Sequence, residues 1–101
     1  MAAIGVQFFS PYDNGGHSIY PAMSRKAEVV TSSGASAQTT NTALQGDFAR
    51  IEVPSGARVA ILTGSSNPTA TASAVGAWTQ SAGVIDIGPL SLGWEIAVID
   101  I

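Results

Sequence analysis

Short runs of β-branched residues, each cut off within a few positions by Gly, Pro, Asn or Ser, recur along this chain and constrain its fold more than any other feature. Gly, Pro and Asn mark bends because each sets or frees the backbone there, while β-branched side chains pack well on a pleated surface. No window of a dozen residues repeats apolar side chains at i, i+3, i+4 and i+7, and 11 glycines in 101 residues leave little room for long helices. The chain is therefore expected to be all-β, a small β-sandwich or jelly-roll-like domain with little or no helix and an extended N-terminal arm. Candidate strands are Ala27 to Thr31, Ala35 to Thr42, Asp47 to Val53, Arg58 to Thr63, Thr69 to Val75, Gly83 to Ile87 and Trp94 to Ile101.

The clearest local unit is DFARIEVPSGARVAILTG, in which Ala49, Ile51 and Val53 alternate with Phe48, Arg50 and Glu52 before Pro54-Ser55-Gly56. Alternation followed by a Gly-containing turn reads as a hairpin. On its return strand Val59 and Ile61 share one face and Arg58, Ala60 and Leu62 the other, so apolar residues on both faces place that strand between the core and a covering element. A similar order recurs near the end of the chain: Ile85-Asp86-Ile87, a loop from Gly88 to Gly93, then Trp94-Glu95-Ile96-Ala97-Val98-Ile99. Two hairpins of one pattern suggest two similar ribbons packed face to face.

Residues 1–25 differ from the rest. They hold Phe8, Phe9, Tyr12 and Tyr20, four of the seven aromatics, among the turn formers Ser10-Pro11, Asp13-Asn14-Gly15-Gly16 and Tyr20-Pro21. Aromatics spaced by turn residues suit an arm or long loop that docks on another surface, and they equally suit one that closes an end of the protein's own core. The domain reading is an arm over residues 1–25 followed by a single β domain over 26–101.

Composition excludes several function classes. At 101 residues the chain is expected to form one core, and with 11% charged against 46% hydrophobic residues it is expected to fold rather than remain disordered. Four Lys plus Arg against seven Asp plus Glu leave a net charge of −3, which supplies no basic face for nucleic acid. No cysteine is present, so there is no disulfide framework, no thiolate nucleophile and no Cys-ligated metal. No apolar run has the length of a membrane span, and MAAIGVQFFSPY lacks the basic start and apolar core of a signal peptide, so use without Sec export is expected.

Catalytic groups are sparse. His17 in NGGHS is the only histidine, and no nucleophile elbow accompanies it. Asp13-Asn14-Gly15-Gly16-His17 has oxygen ligands but not the alternation or terminal Glu of a calcium loop, and reads as a turn. Asp86, Glu95 and Asp100 alternate with apolar strand residues and read as solvated strand faces rather than a hydrolytic pair. Gly64-Ser65-Ser66-Asn67-Pro68 lacks the Lys and helix of a phosphate loop. Trp78 and Trp94 are either a sugar-stacking platform or core and interface anchors. No enzyme activity, cofactor or metal is expected.

The stretch VAILTGSSNPTATASAV from Val59, the Gly-containing segment after it and the closing GWEIAVIDI resemble a recurring small virion protein of tailed bacteriophages. The similarity spans residues 59–101, is loose from Gly76 to Leu92, and has no counterpart in the N-terminal half. It implies a structural protein of the particle, closest to a head decoration or cement protein: made in the host cytoplasm, seated on the capsid surface across major capsid protein subunits, and homo-oligomeric, with a trimer favoured. Low charge, abundant small residues and an aromatic arm agree with a protein whose work is contact. The residues expected to carry contacts are Phe8, Phe9, Tyr12 and Tyr20 on the arm, with Arg25 and Lys26 facing an acidic capsid surface. The alternatives are a tail, fibre or collar component and a carbohydrate-binding β module; neither nucleic acid nor membrane is expected as a partner.

Overall fold

The computed structural model describes residues 2–13, 19–66, 68–70 and 78–101, and for residues 11–13, 19–25 and 78 it describes the backbone alone. Six strands and no helix are found there: β1 (Ala3–Asp13), β2 (Ile19–Thr31), β3 (Ala37–Gln38), β4 (Phe48–Gly64), β5 (Trp78–Ile87) and β6 (Glu95–Asp100). The fold is all-β, with a nearly closed sheet. All strand pairings are antiparallel.

The central strand is β4, and its course differs from the expected hairpin. Pro54-Ser55-Gly56 does not reverse the chain, and one 17-residue strand runs through it. On one side β5 accompanies β4 in both halves, with Val53 opposite Gly83 and Arg58 opposite Ser81, so residues 54–57 bulge out of the ladder. On the other side the partner changes: β1 pairs with Phe48 to Glu52, and β6 pairs with Val59 to Gly64. The bulge is therefore a corner at which β4 leaves one layer, β2-β1-β4-β5, and enters the other, β5-β4-β6-β3. Gly56 sits at the corner with φ of +84°, a conformation open to glycine at little steric cost.

The second expected hairpin is corrected in the same way. β5 and β6 do not pair with each other; they flank opposite edges of β4. The two similar sequence units lie side by side rather than face to face: Ile51 is opposite Ile85 and Arg50 opposite Asp86, while Ala60, Ile61 and Leu62 are opposite Ile99, Val98 and Ala97. Ala35 to Thr42 forms only the two-residue β3, and Thr69 to Val75 lies mostly outside the described residues, with Thr69 and Ala70 not in a strand.

The core lies between the two layers. Ile4, Val6 and Phe8 from β1, Val30 from β2, Ala49, Ile51, Val53, Val59 and Ile61 from β4, and Ile96 and Val98 from β6 form one buried cluster with Ala43 and Leu90. Burying each large apolar side chain contributes about 1.5–3 kcal/mol, which makes this cluster the main favourable term. The opposite face of the second layer is covered too: Ala60 and Ala97 point away from the cluster yet are 1% and 0% exposed. Pro68 and Ala70 are buried as well, Gly64 leaves only 3.2 Å between an added Cβ and Pro68 Cβ, and Ala70 N–H donates to Ser36 Oγ at 2.9 Å. The segment 68–70 is thus packed back on the sheet, as apolar residues on both faces of β4 require.

The N-terminal segment is not a separate arm. Ala3 to Phe9 is a strand inside the first layer, with Gly5 to Phe9 against β4, and the expected boundary at residue 25 falls within β2. The hairpin outruns its layer, however. Ser10 to Asp13 and Ile19 to Met23 pair with each other, and among the described residues with nothing else, so a two-stranded ribbon continues past Phe9 in a protein whose longest dimension is 40 Å.

Candidate functional site

The end of the sandwich that carries the ribbon gathers the features suited to contact. β1 passes Phe48, the first residue of β4, at Phe9, and from there the ribbon proceeds with Pro11 opposite Pro21 and Tyr12 opposite Tyr20. Register shifts fall between Phe8 and Phe9 and between Ser10 and Pro11. The first leaves Arg25 with no opposite residue, since Phe8 faces Lys26 and Phe9 faces Ser24. Bulges bend a strand and increase its local twist, and two fall in succession here.

The loops 43–47 and 88–94 close the same end. Gly46 N–H donates to Leu90 O and Leu90 N–H to Asp47 O, both at 2.8 Å, and Ala43 and Trp94 are joined by an N–H to O bond of 2.9 Å. Buried Asp47 uses Oδ2 to accept from Leu44 N–H at 2.9 Å, which fixes the turn between them. Pinned this way, the loops present Leu44 and Leu92 to solvent beside the root of the ribbon.

Of the residues expected to make contacts, two are structural instead. Phe8 is 1% exposed and belongs to the core; Phe9 is 0% exposed on the opposite face of β1. Phe9 packs against Phe48, with ring centroids 6.1 Å apart, and the Arg50 guanidinium lies 5.5 Å from its centroid. Burial of large rings wherever a surface exists accounts for the difference. Lys26 is exposed on β2. Tyr12, Tyr20 and Arg25 lie on the ribbon, described by backbone alone, and the His17 turn lies outside the described residues. Trp94 is half-buried and packs against the core, which leaves it poorly placed as a stacking platform; the Trp78 side chain is not among those described. Among the described residues no three His, Cys, Asp or Glu side chains gather as a metal site.

The sequence reading missed the arrangement that stiffens this face. Arg50 donates through Nε to Asp86 Oδ1 and through Nη2 to Asp86 Oδ2, both at 2.8 Å, tying β4 to β5. Hydrogen bonding to Asp86 raises the Arg50 pKa above its ordinary value, against a smaller opposing effect of burial. Both side chains are about one-third exposed, at 28% and 30%, so water screens the pair and its contribution stays modest. Arg50→Lys loses the bidentate fork and the stacked plane and is expected to cost about 1 kcal/mol, read as a fall in Tm of roughly 4–8 °C by thermal melting. An unchanged Tm would mean that the fork contributes nothing to stability.

One row further along the same face, Val29, Gly5, Glu52 and Val84 stand opposite one another across β2, β1, β4 and β5. Val29 and Val84 are 65% and 58% exposed and flank the gap left by Gly5. The described residues thus offer a two-stranded ribbon beyond the sheet's pairing with β4, two presented leucines and a shallow apolar row rather than convergent reactive groups. Compared with protein-family models, with curated proteins and with solved structures, the chain matches none of them.

Proposed function

We propose that this protein is a structural contact protein of a phage particle, a capsid decoration protein that binds across major capsid protein subunits and reinforces the head. One observation carries the reading: the β1–β2 hairpin leaves its sheet after Phe9 and continues as a ribbon with Tyr12 opposite Tyr20 and Arg25 at its root. Among the described residues the strands of this ribbon pair only with each other, and Tyr and Arg are among the side chains most enriched where interfaces hold their energy. Leu44 and Leu92 extend the apolar area at the ribbon's root. The choice of partner comes from the resemblance of residues 59–101 to small phage virion proteins read from the sequence alone.

The mechanism is mechanical. A domain whose ribbon lies over a neighbouring subunit adds an interface that must break before the shell opens, and many copies multiply weak contacts through symmetry. Binding the assembled shell and not its parts stabilises the shell by mass action. Lys26 and Arg25 opposite acidic capsid residues set register more than affinity.

Cryo-electron microscopy of purified particles that carry this chain tests the reading. The expected result is one copy at each equivalent position of the head lattice, with the ribbon across a subunit boundary. Density confined to the tail or a vertex would assign the protein to the tail or collar and overturn the shell role.

A further inference from the structure

We propose that β5 is a seam at which two copies of this chain pair, strand against strand, across a twofold axis. The proposal does not rest on the capsid reading, because the seam is a property of the free protein.

Strands at the border of a sheet present unpaired N–H and C=O groups, and proteins that stay monomeric shorten, cover, charge or interrupt such borders. The other borders among the described residues are treated in these ways. β3 is two residues long. β2 is covered where the Glu28 carboxylate accepts from Thr40 N–H at 3.1 Å, Thr40 Oγ1 at 3.2 Å and Asn41 N–H at 2.9 Å, and it carries Lys26 on its exposed stretch. The ribbon strands carry Pro11 and Pro21, which donate no backbone hydrogen bond.

β5 is protected less: Asp86 is its one charge and Gly83, at φ of +139° beside the β4 bulge, its one irregularity, and among the described residues nothing covers its outer border. It runs ten residues, Trp78–Ile87, with no Pro, Lys or Arg, and among the described residues its only partner is β4. Thr79, Ser81, Ala82, Gly83, Val84 and Asp86 are exposed.

A second copy fits this border for two reasons. Residues that turn N–H and C=O outward alternate along a strand, so an antiparallel strand paired with itself matches outward group to outward group in any register that sets a residue against itself. Charge permits the approach as well: the chain carries −3, yet the one charged group on β5, Asp86, is neutralised within its own sheet by the Arg50 fork. Because the same border serves both copies, the seam closes at two and leaves the ribbon ends free. Two copies, not three, are then the unit that meets a partner.

Sedimentation velocity across a concentration series, with amide hydrogen exchange, tests the seam. The expected result is a species of two 10.2 kDa chains, with the β5 amides slowing as concentration rises. Val84→Lys places a charge on the border opposite Glu52, and Ser81→Glu places one on the other side of Gly83 opposite Arg58, so each new charge meets an opposite one within its own sheet. Each is expected to weaken pairing at least tenfold while leaving the Tm of the monomer within a few degrees. A wild-type protein that stays monomeric throughout, an assembly of another size, or a dimer that survives both substitutions would overturn the proposal.

Discussion

Alanine in place of Gly88 is expected to lower stability by about 2–3 kcal/mol, the upper part of the range for a methyl forced into a packed site. Gly88 follows β5 directly and lies on the ring of Phe48. A Cβ there would stand 2.7 Å from Phe48 Cγ and 2.9 Å from Cδ1 and Cδ2. The flexible end of a side chain yields to such a contact, whereas these three atoms form the root of an aromatic ring. The ring is held in turn, because Phe9 is fully buried against it and Arg50 lies over Phe9. Urea unfolding is the measurement, and with a slope of about 1–2 kcal/mol/M the midpoint falls by roughly 1–3 M. The cause is separable from backbone effects: in a Phe48→Ala background the obstructing ring is gone, and Gly88→Ala is expected to lose most of its effect. An equal penalty in both backgrounds would place the strain in the backbone and not in the ring.

That contact was out of reach of the sequence reading, and the reason is general. The fold class was legible because it follows from local signals: β-branched runs, glycines and the absence of a helical period. The alternation of Ala49, Ile51 and Val53 was legible for the same reason, and all three line the core. Pro54-Ser55-Gly56 was misread because a turn and a corner bulge use the same residues; what separates them is β5 running past both halves of β4, a pairing of residues some thirty positions apart. The first strand did carry a signal. Ile4, Val6 and Phe8 alternate with Ala3, Gly5 and Gln7, a period-two pattern that the arm reading of residues 1–25 passed over. The arm reading took in too much: Phe8 and Phe9 are buried and pair with β4, and only residues from Ser10 onward lie beyond that pairing.

The Arg50–Asp86 fork and the Glu28 clamp show the limit from another side. In each the partners lie far apart in the chain, 36 residues for the fork and 12 to 13 for the clamp, and neither partner is unusual in its own neighbourhood. Only the strand register brings them together. Among the described residues the same register decides which sheet borders have partners, and it sets the proposed β5 seam and the ribbon on different strands. A pair joined at β5 presents two ribbons, and binding that uses both gains effective concentration over a single ribbon.

Replacing residues 10–23 by Asn-Gly is expected to abolish binding to particles while leaving the domain folded. Phe9 and Ser24 are opposite each other, so a two-residue turn closes the hairpin at the point where β1 parts from β4, and Asn-Gly is the dipeptide that such a turn favours. The pairing removed is that of the ribbon strands with each other; Gly5 to Phe9 keep their places against β4. Circular dichroism and thermal melting are expected to show the same β spectrum and a Tm close to that of the parent. Co-sedimentation with particles stripped of this protein is expected to show no bound chain. A finer variant keeps the ribbon and changes its chemistry: Tyr12→Ser with Tyr20→Ser removes two aromatic anchors, each of about 2 kcal/mol at an interface centre, or roughly thirtyfold in Kd. On the decoration reading proposed above, every copy carries both substitutions, so the loss is expected to repeat at each lattice position and occupancy to fall steeply rather than in proportion. Full occupancy by a folded protein that lacks residues 10–23 would move the contact to the Leu44 and Leu92 loops or the Val29–Val84 row, and the ribbon would lose its assigned role.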